Sequence, residues 1–192
     1  MAKLYFSYAA MNAGKSTLLL QASHNYRERG MQTLVFTSML YADMDDKSIV
    51  SRIGVRSPAE LYDRTLDFYD FIARKLEKGA LHCVFVDEAQ FLTPEQVWQC
   101  ADLADRVGIP VLCYGLRTDF RGQLFPGSAV LLGIADSLVE LKAVCHCGRK
   151  ASMNLRVDAE GKAVNEGAQT EIGGNDRYVA LCRRHFSEAL GR

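Results

Sequence analysis

Short apolar runs alternate with longer segments of mixed polarity along most of the chain. Leu4–Tyr8 (LYFSY) is short and apolar. Lys15–Arg29 has helical content, and Gly30 is placed to close it. Thr33–Ser38 (TLVFTS) is rich in strand formers. Ser57-Pro58-Ala59-Glu60 carries a capping-box signature with proline at the first helical position, which predicts a helix running towards Leu76. His82–Asp87 reads as a buried strand. Thr93-Pro94-Glu95-Gln96 repeats the capping signature and predicts a helix towards Val107. Pro110–Gly115 (PVLCYG) is the next strand, and Leu138–Val144 a further one. Strands alternating with helices predict an α/β fold with a mostly parallel sheet, flanking helices, and ligands at the strands' C-terminal edge.

From Cys145 the texture changes. Gly161, Gly167, Gly173 and Gly174 punctuate short polar segments, and Arg183–Arg192 reads as a terminal helix. This predicts two units: an α/β domain over 1–143, and a small β-ribbon domain with a long loop over 144–192.

Composition narrows the function classes. Hydrophobic residues make up 48%, enough for a substantial core. Lys plus Arg number 23 and Asp plus Glu 23, a formal net charge of zero. A dedicated nucleic-acid binder carries a basic excess, so none is expected as partner. The opening residues lack the basic head and apolar run of a signal peptide. No apolar stretch approaches a membrane span. A cytoplasmic protein without a membrane partner is expected.

The run Ala9-Ala10-Met11-Asn12-Ala13-Gly14-Lys15-Ser16-Thr17 has the spacing of a phosphate loop, with Ala9 where the first glycine belongs. A nucleoside triphosphate needs backbone N–H groups aimed at its phosphates, a lysine for the β/γ oxygens and a hydroxyl for Mg²⁺. Gly14, Lys15 and Ser16 supply these parts between a strand and a helix. A bare Gly-Lys-Ser is common in surface turns, and the context sets this one apart. Alanine at position 9 keeps its backbone N–H.

Cys83-Val84-Phe85-Val86 runs into Asp87-Glu88. In phosphoryl-transfer enzymes an acid at such a strand end holds the Mg²⁺ shell, and the next can activate a nucleophile. Asp87 fits the first role and Glu88 the second. Strand ends are often acidic merely because they meet solvent; the phosphate loop upstream favours chemistry.

Cys145, Cys147, Cys182 and His185 form a Cys₃His set, a standard combination for structural zinc. His146 is a rival ligand, but in an extended segment it points away from Cys145 and Cys147. Cys83, Cys100 and Cys113 stand singly in apolar surroundings and read as core.

Together these features resemble the type II thymidine kinases, the family with a zinc-bearing lasso domain. The matching text is AMNAGKST, VDEAQF at 86–91, YGLRTDFRG at 114–122, VELKAVCHCGRKAS at 139–152 and IGGNDRYVALCRRH at 172–185. The resemblance implies ATP, Mg²⁺ and structural Zn²⁺ as cofactors, thymidine as substrate, and a homotetramer. It implies ATP contacts from Ala9 to Thr17 and from Asp87, Glu88, Ala89 and Gln90, with Glu88 as base for the 5′-hydroxyl. Phe91 and Phe120 would pack near the sugar and base, and Met11 and Leu116 around the thymine methyl. Thr170, Glu171, Ile172 and Gly173 would read the base edge through their backbone, with Tyr178 nearby. Phe36 and Phe85, inside strands, read as core. The family's Asp-x-Arg pair after the second strand is missing from Met39–Asp46, where Asp43 or Asp45 stands instead.

A second reading from another class is an ATPase-like switch whose zinc ribbon docks on a partner. Arg149, Lys150, Arg183 and Arg184 give it some basic surface.

Overall fold

The computed structural model describes residues 1–40, 47–170 and 177–192. The large unit holds a six-stranded sheet: β1 (Leu4–Ala9), β2 (Thr33–Ser38), β5 (Glu60–Tyr62), β6 (Cys83–Val86), β7 (Val111–Leu116) and β8 (Ser137–Glu140). Their spatial order is β5-β2-β6-β7-β1-β8, and every pairing is parallel. All six C-terminal ends therefore share one edge. β6 is buried at all four positions, as the continuous apolar run CVFV requires of a strand covered on both faces.

Helices α1 (Lys15–Glu28), α2 (Phe68–Leu76), α3 (Pro94–Asp102) and α4 (Pro126–Ile134) complete the unit. The Thr93 capping box is present in full: Gln96 N–H donates to the Thr93 hydroxyl, and the Gln96 side chain accepts from Thr93 N–H. α3 runs on through a π turn, Leu103–Val107, which reaches the predicted end.

The Ser57 signature does not start a helix. Ser57 lies in β4 (Arg56–Pro58), paired antiparallel with β3 (Ser48–Val50), and Glu60–Tyr62 extends the large sheet as β5. The Asp63 carboxylate accepts from Thr65 N–H at 2.8 Å and Leu66 N–H at 3.2 Å, which makes a turn. The helix begins only at Phe68, capped by Asp67, which accepts from Asp70 N–H at 2.9 Å. α4 was not expected. Its Gly127 allows the close approach: a Cβ there would lie 2.5 Å from the Leu92 carbonyl oxygen.

The predicted strand Leu138–Val144 is two strands. β8 ends the large sheet, and β9 (Ala143–Val144) pairs antiparallel with β10 (Lys150–Ala151). A second small sheet follows, with β11 (Met153–Val157) between β12 (Ala163–Val164) and β13 (Tyr178–Leu181). α5 (Arg183–Ala189) closes the chain. Phe36 and Phe85 are fully buried, as are Cys83, Cys100 and Cys113. Among the described residues no helix is long and apolar enough to cross a membrane.

Candidate functional site

β1 delivers the phosphate loop to the shared sheet edge. Asn12 and Gly14 take left-handed backbone, with φ of 65° and 77°. Gly14 adopts this freely, and the loop curls so that α1 starts at Lys15. Lys15 is buried, and its ammonium donates to the Ala10 carbonyl at 3.1 Å. Burial lowers its pKa from the usual lysine value, against the opposing pull of Glu88 and Asp87.

β6 delivers Asp87 and Glu88 to the same edge, with β7 between it and β1. The Ser16 hydroxyl donates to Asp87 Oδ2 at 2.8 Å. Asp87 Oδ1 is buried with no hydrogen-bond partner among the described residues. An orphaned carboxylate oxygen beside a hydroxyl suits a hard, oxygen-seeking cation such as Mg²⁺. Burial, and then the neighbouring Glu88 carboxylate, push the Asp87 carboxyl up to about 7, against the Ser16 hydrogen bond. A cation there would reverse that shift.

Glu88 has φ of 53°, sparsely populated for a residue with a Cβ. Two contacts hold it. The Tyr62 hydroxyl donates to the Glu88 carbonyl at 2.7 Å and to the Asp87 carbonyl at 3.2 Å. Burial, then Glu88 and Asp87, push the Tyr62 hydroxyl well above its ordinary value, so it stays a donor. The Gln90 amide donates to Glu88 Oε2, while its oxygen accepts from Leu116 N–H at 2.9 Å. A Cβ at Gly115 would lie 2.7 Å from that oxygen. Gln90 thus orients the Glu88 carboxylate, and Ala89 is fully buried in the core.

A cavity of about 330 Å³ opens above these groups. It brings together Met11 to Thr17, Asp87, Glu88, Gln90, Phe91, Leu116, Phe120, Thr170 and Tyr178. Ala9 and Ala10 lie buried beneath it. Phe91 meets Phe125 edge-on at 5.9 Å. Arg156 stacks over Phe120 at 3.8 Å and donates to the Tyr178 hydroxyl at 2.6 and 2.9 Å, tying the small lobe to the loop after β7. Glu171, Ile172 and Gly173, and Asp43 and Asp45, lie outside the described residues. Sequence reasoning missed Tyr62, Thr118, Asp119, Asn154 and the β3–β4 residues Ile49 and Arg52, which also line or support the cavity. None sits in a spacing that marks chemistry.

Cys145, Cys147, Cys182 and His185 converge, with one ligand atom of each within 4.8 Å of the others. Cys147 Sγ lies 3.9 Å from Cys182 Sγ. His185 Nδ1 lies 3.4 Å from Cys145 Sγ and 3.5 Å from Cys182 Sγ. Tetrahedral zinc, with Zn–S of about 2.3 Å and Zn–N of about 2.0 Å, implies edges of about 3.5–3.8 Å. The four residues fit that ion. Burial raises the Cys145 thiol, but hydrogen bonding led by the Cys147 backbone outweighs it and lowers the pKa to about 5, favouring the ligating thiolate. His146 stacks on the His185 ring at 4.3 Å, outside the set.

The family model for thymidine kinase matches residues 2–186. The chain belongs to the thymidine kinase family. A thymidine kinase of Novosphingobium aromaticivorans is 66% identical over 192 residues, covering all of both chains. One from Jannaschia sp. is 57% identical over 195 residues, covering all of this chain and 98% of the relative. One from Escherichia coli K12 is 57% identical over 194 residues, covering 99% of this chain and 93% of the relative. As a thymidine kinase family member the chain is an enzyme, a phosphotransferase that uses ATP to phosphorylate thymidine.

Proposed function

We propose that the cavity seats both substrates, and that the ATP γ-phosphoryl group passes there to the 5′-hydroxyl of thymidine or deoxyuridine. The observation that supports this most is a single space lined by Lys15, Ser16, Asp87 and Glu88 on one side and by Phe120 and Tyr178 on the other. The 5′-oxygen attacks phosphorus in line, and the bond to the β,γ-bridging oxygen breaks. Glu88 accepts the hydroxyl proton, held in place through Gln90 and Tyr62. Lys15 and the loop N–H groups, Ala9 to Thr17, stabilise charge on the phosphates. Ser16 and Asp87 would hold Mg²⁺, which when bound neutralises developing negative charge.

Phe91 and Phe120 flank the sugar and base, Met11 and Leu116 surround the 5-methyl group, and Tyr178 closes over them. The family likeness assigns the base edge to the stretch that begins at Thr170, which lines the cavity. Cys145, Cys147, Cys182 and His185 hold a structural Zn²⁺ with no open position. We divide the chain near residue 143: β8 ends the large sheet at Glu140, and β9 (Ala143–Val144), which straddles that boundary, begins the small ones. A cytoplasmic homotetramer follows from the family likeness, and light scattering measures it.

The decisive experiment adds thymidine to enzyme and ATP. Thymidine should stimulate ADP release and yield the 5′-monophosphate, and Lys15→Ala should abolish both while melting normally. Thymidine-independent ATP consumption would instead support the switch reading.

A further inference from the structure

The β3–β4 hairpin brings to the cavity a cation that the reaction described above leaves unused. The root of the hairpin is fixed: Ile49 is buried in one cluster with Leu19 and Leu20 of α1. Its turn is fixed as well. Val55 N–H donates to the Ser51 hydroxyl at 3.0 Å, and Ser51 N–H donates to the Val55 carbonyl at 2.8 Å. Gly54, with φ of 85°, donates to the Ser51 carbonyl at 2.9 Å. Arg52 stands in this turn, exposed, and lines the cavity with Lys15, Ser16, Asp87 and Glu88. Among the described residues that line it, Lys15 and Arg52 are the two cations, set against Asp87, Glu88 and Asp119. The Lys15 ammonium is already engaged by the Ala10 carbonyl. No hydrogen bond or ion pair to a described residue holds the Arg52 guanidinium. Its charge is nevertheless felt at Lys15: burial lowers the lysine's pKa, Glu88 and Asp87 oppose this, and Arg52 acts in the same direction as burial. Two like charges facing one space repel until an anion joins them, and a triphosphate is such an anion.

We propose that Arg52 is a further catalytic residue, whose guanidinium contacts the γ-phosphoryl group of ATP and stabilises the charge that group carries during transfer. This rests on the reading above, in which one cavity seats ATP and thymidine. The bond from the 5′-oxygen to phosphorus forms, and the bond to the β,γ-bridging oxygen breaks. The electron pair of the broken bond leaves on that oxygen with ADP, and the hydroxyl proton goes to Glu88. Through this step the three equatorial oxygens share the charge of the moving group. A guanidinium presents parallel donors to two such oxygens and stays protonated at any working pH. Lys15 belongs to the phosphate loop and Arg52 to a separate hairpin, so the two cations reach the phosphates from different elements. A donor without another partner, held on a fixed turn, needs little rearrangement to meet developing charge.

The test measures kcat and KM for ATP, nucleotide affinity and melting temperature in wild type, Arg52→Ala and Arg52→Lys. The alanine variant should lose about 10³-fold in kcat, the lower end of the range for an arginine at a transferred phosphoryl group. Its ATP affinity should fall far less and its melting should match wild type, because the contact matters most in transfer. Lysine should recover only part of the loss, since a point charge does not reproduce the planar fork. Methylguanidine added to the alanine variant should restore part of kcat and leave wild type unchanged, which a merely structural role would not produce. Turnover of the alanine variant within a few fold of wild type, whatever its KM, would overturn the inference and leave Arg52 a surface charge or a ground-state phosphate contact. A loss of turnover that comes with a lowered melting temperature and no methylguanidine response would also overturn it. Wild type unable to phosphorylate thymidine is a separate result, read before any variant is made, and would remove the underlying reading instead.

Discussion

The large sheet and the small Cys/His lobe meet at the cavity, and they are held together by different means. The sheet rests on large apolar side chains that are completely buried, among them Phe6, Phe36, Phe68, Val84 and Val86. In the small lobe's cluster, three of eight buried residues are alanine and two are cysteine. That leaves Leu155, Leu181 and Phe186 as its substantial apolar contributions. So small a core supplies little driving force, and small units of this kind depend on a staple. The sheet can therefore carry the strained, charged machinery around Glu88. On the reading proposed above, the lobe relies on a metal at Cys145, Cys147, Cys182 and His185 to hold the nucleoside side of the cavity.

The largest expected effect breaks the sheet's half of this comparison. Glu88→Gln keeps shape and hydrogen-bonding reach but removes basicity. Turnover should fall by about 10²–10⁴-fold with both substrates still bound, as calorimetry of nucleotide and thymidine binding would verify. Near-normal turnover would take the base role away from this residue.

The second effect separates the lobes. Cys182→Ser, or chelation of the wild type, should release about one zinc per chain and loosen the lobe, with the sheet still folded. Elemental analysis and a two-stage melting curve read this out. His146→Ala should retain its zinc. A single cooperative transition after metal loss would mean that the lobe stands without its staple.

The smallest effect lies within the sheet. Tyr62→Phe deletes the donor to the Glu88 and Asp87 carbonyls, at a cost of about 1–3 kcal/mol in stability. Turnover should drop more than ATP affinity, because the phosphate loop is untouched. Equal losses in both would make Tyr62 a core residue only.

Legibility in the sequence follows the same division. The sheet's strands could be read because continuous apolar runs such as Cys83–Val86 have few other homes. Thr93 and Ser57 carried the same helix-start signature with opposite outcomes. After Thr93, Val97, Cys100 and Leu103 recur at helical spacing and are buried together. After Ser57, Leu61 and Tyr62 pair with β2, and sheet pairing overrode the local preference. α4 escaped because its text, PGSAVLLGI, is apolar all round and shows no stripe. The phosphate loop, Asp87, Glu88 and the Cys₃His set were legible because their chemistry constrains spacing. Tyr62 and Asn154 act through hydrogen bonds between segments distant in sequence, as in Asn154 to Met11, and no local pattern marks such bonds.

The most direct test of the account is a magnesium titration of the Glu88→Gln variant, read as single-turnover phosphate transfer to thymidine. If Glu88 is the base for the 5′-hydroxyl, and Ser16 and Asp87 hold the cation, saturating Mg²⁺ should leave the rate depressed by about 10²–10⁴-fold. Recovery to near wild-type rate at high Mg²⁺ would contradict it, and would make Glu88 a residue that orders the cation.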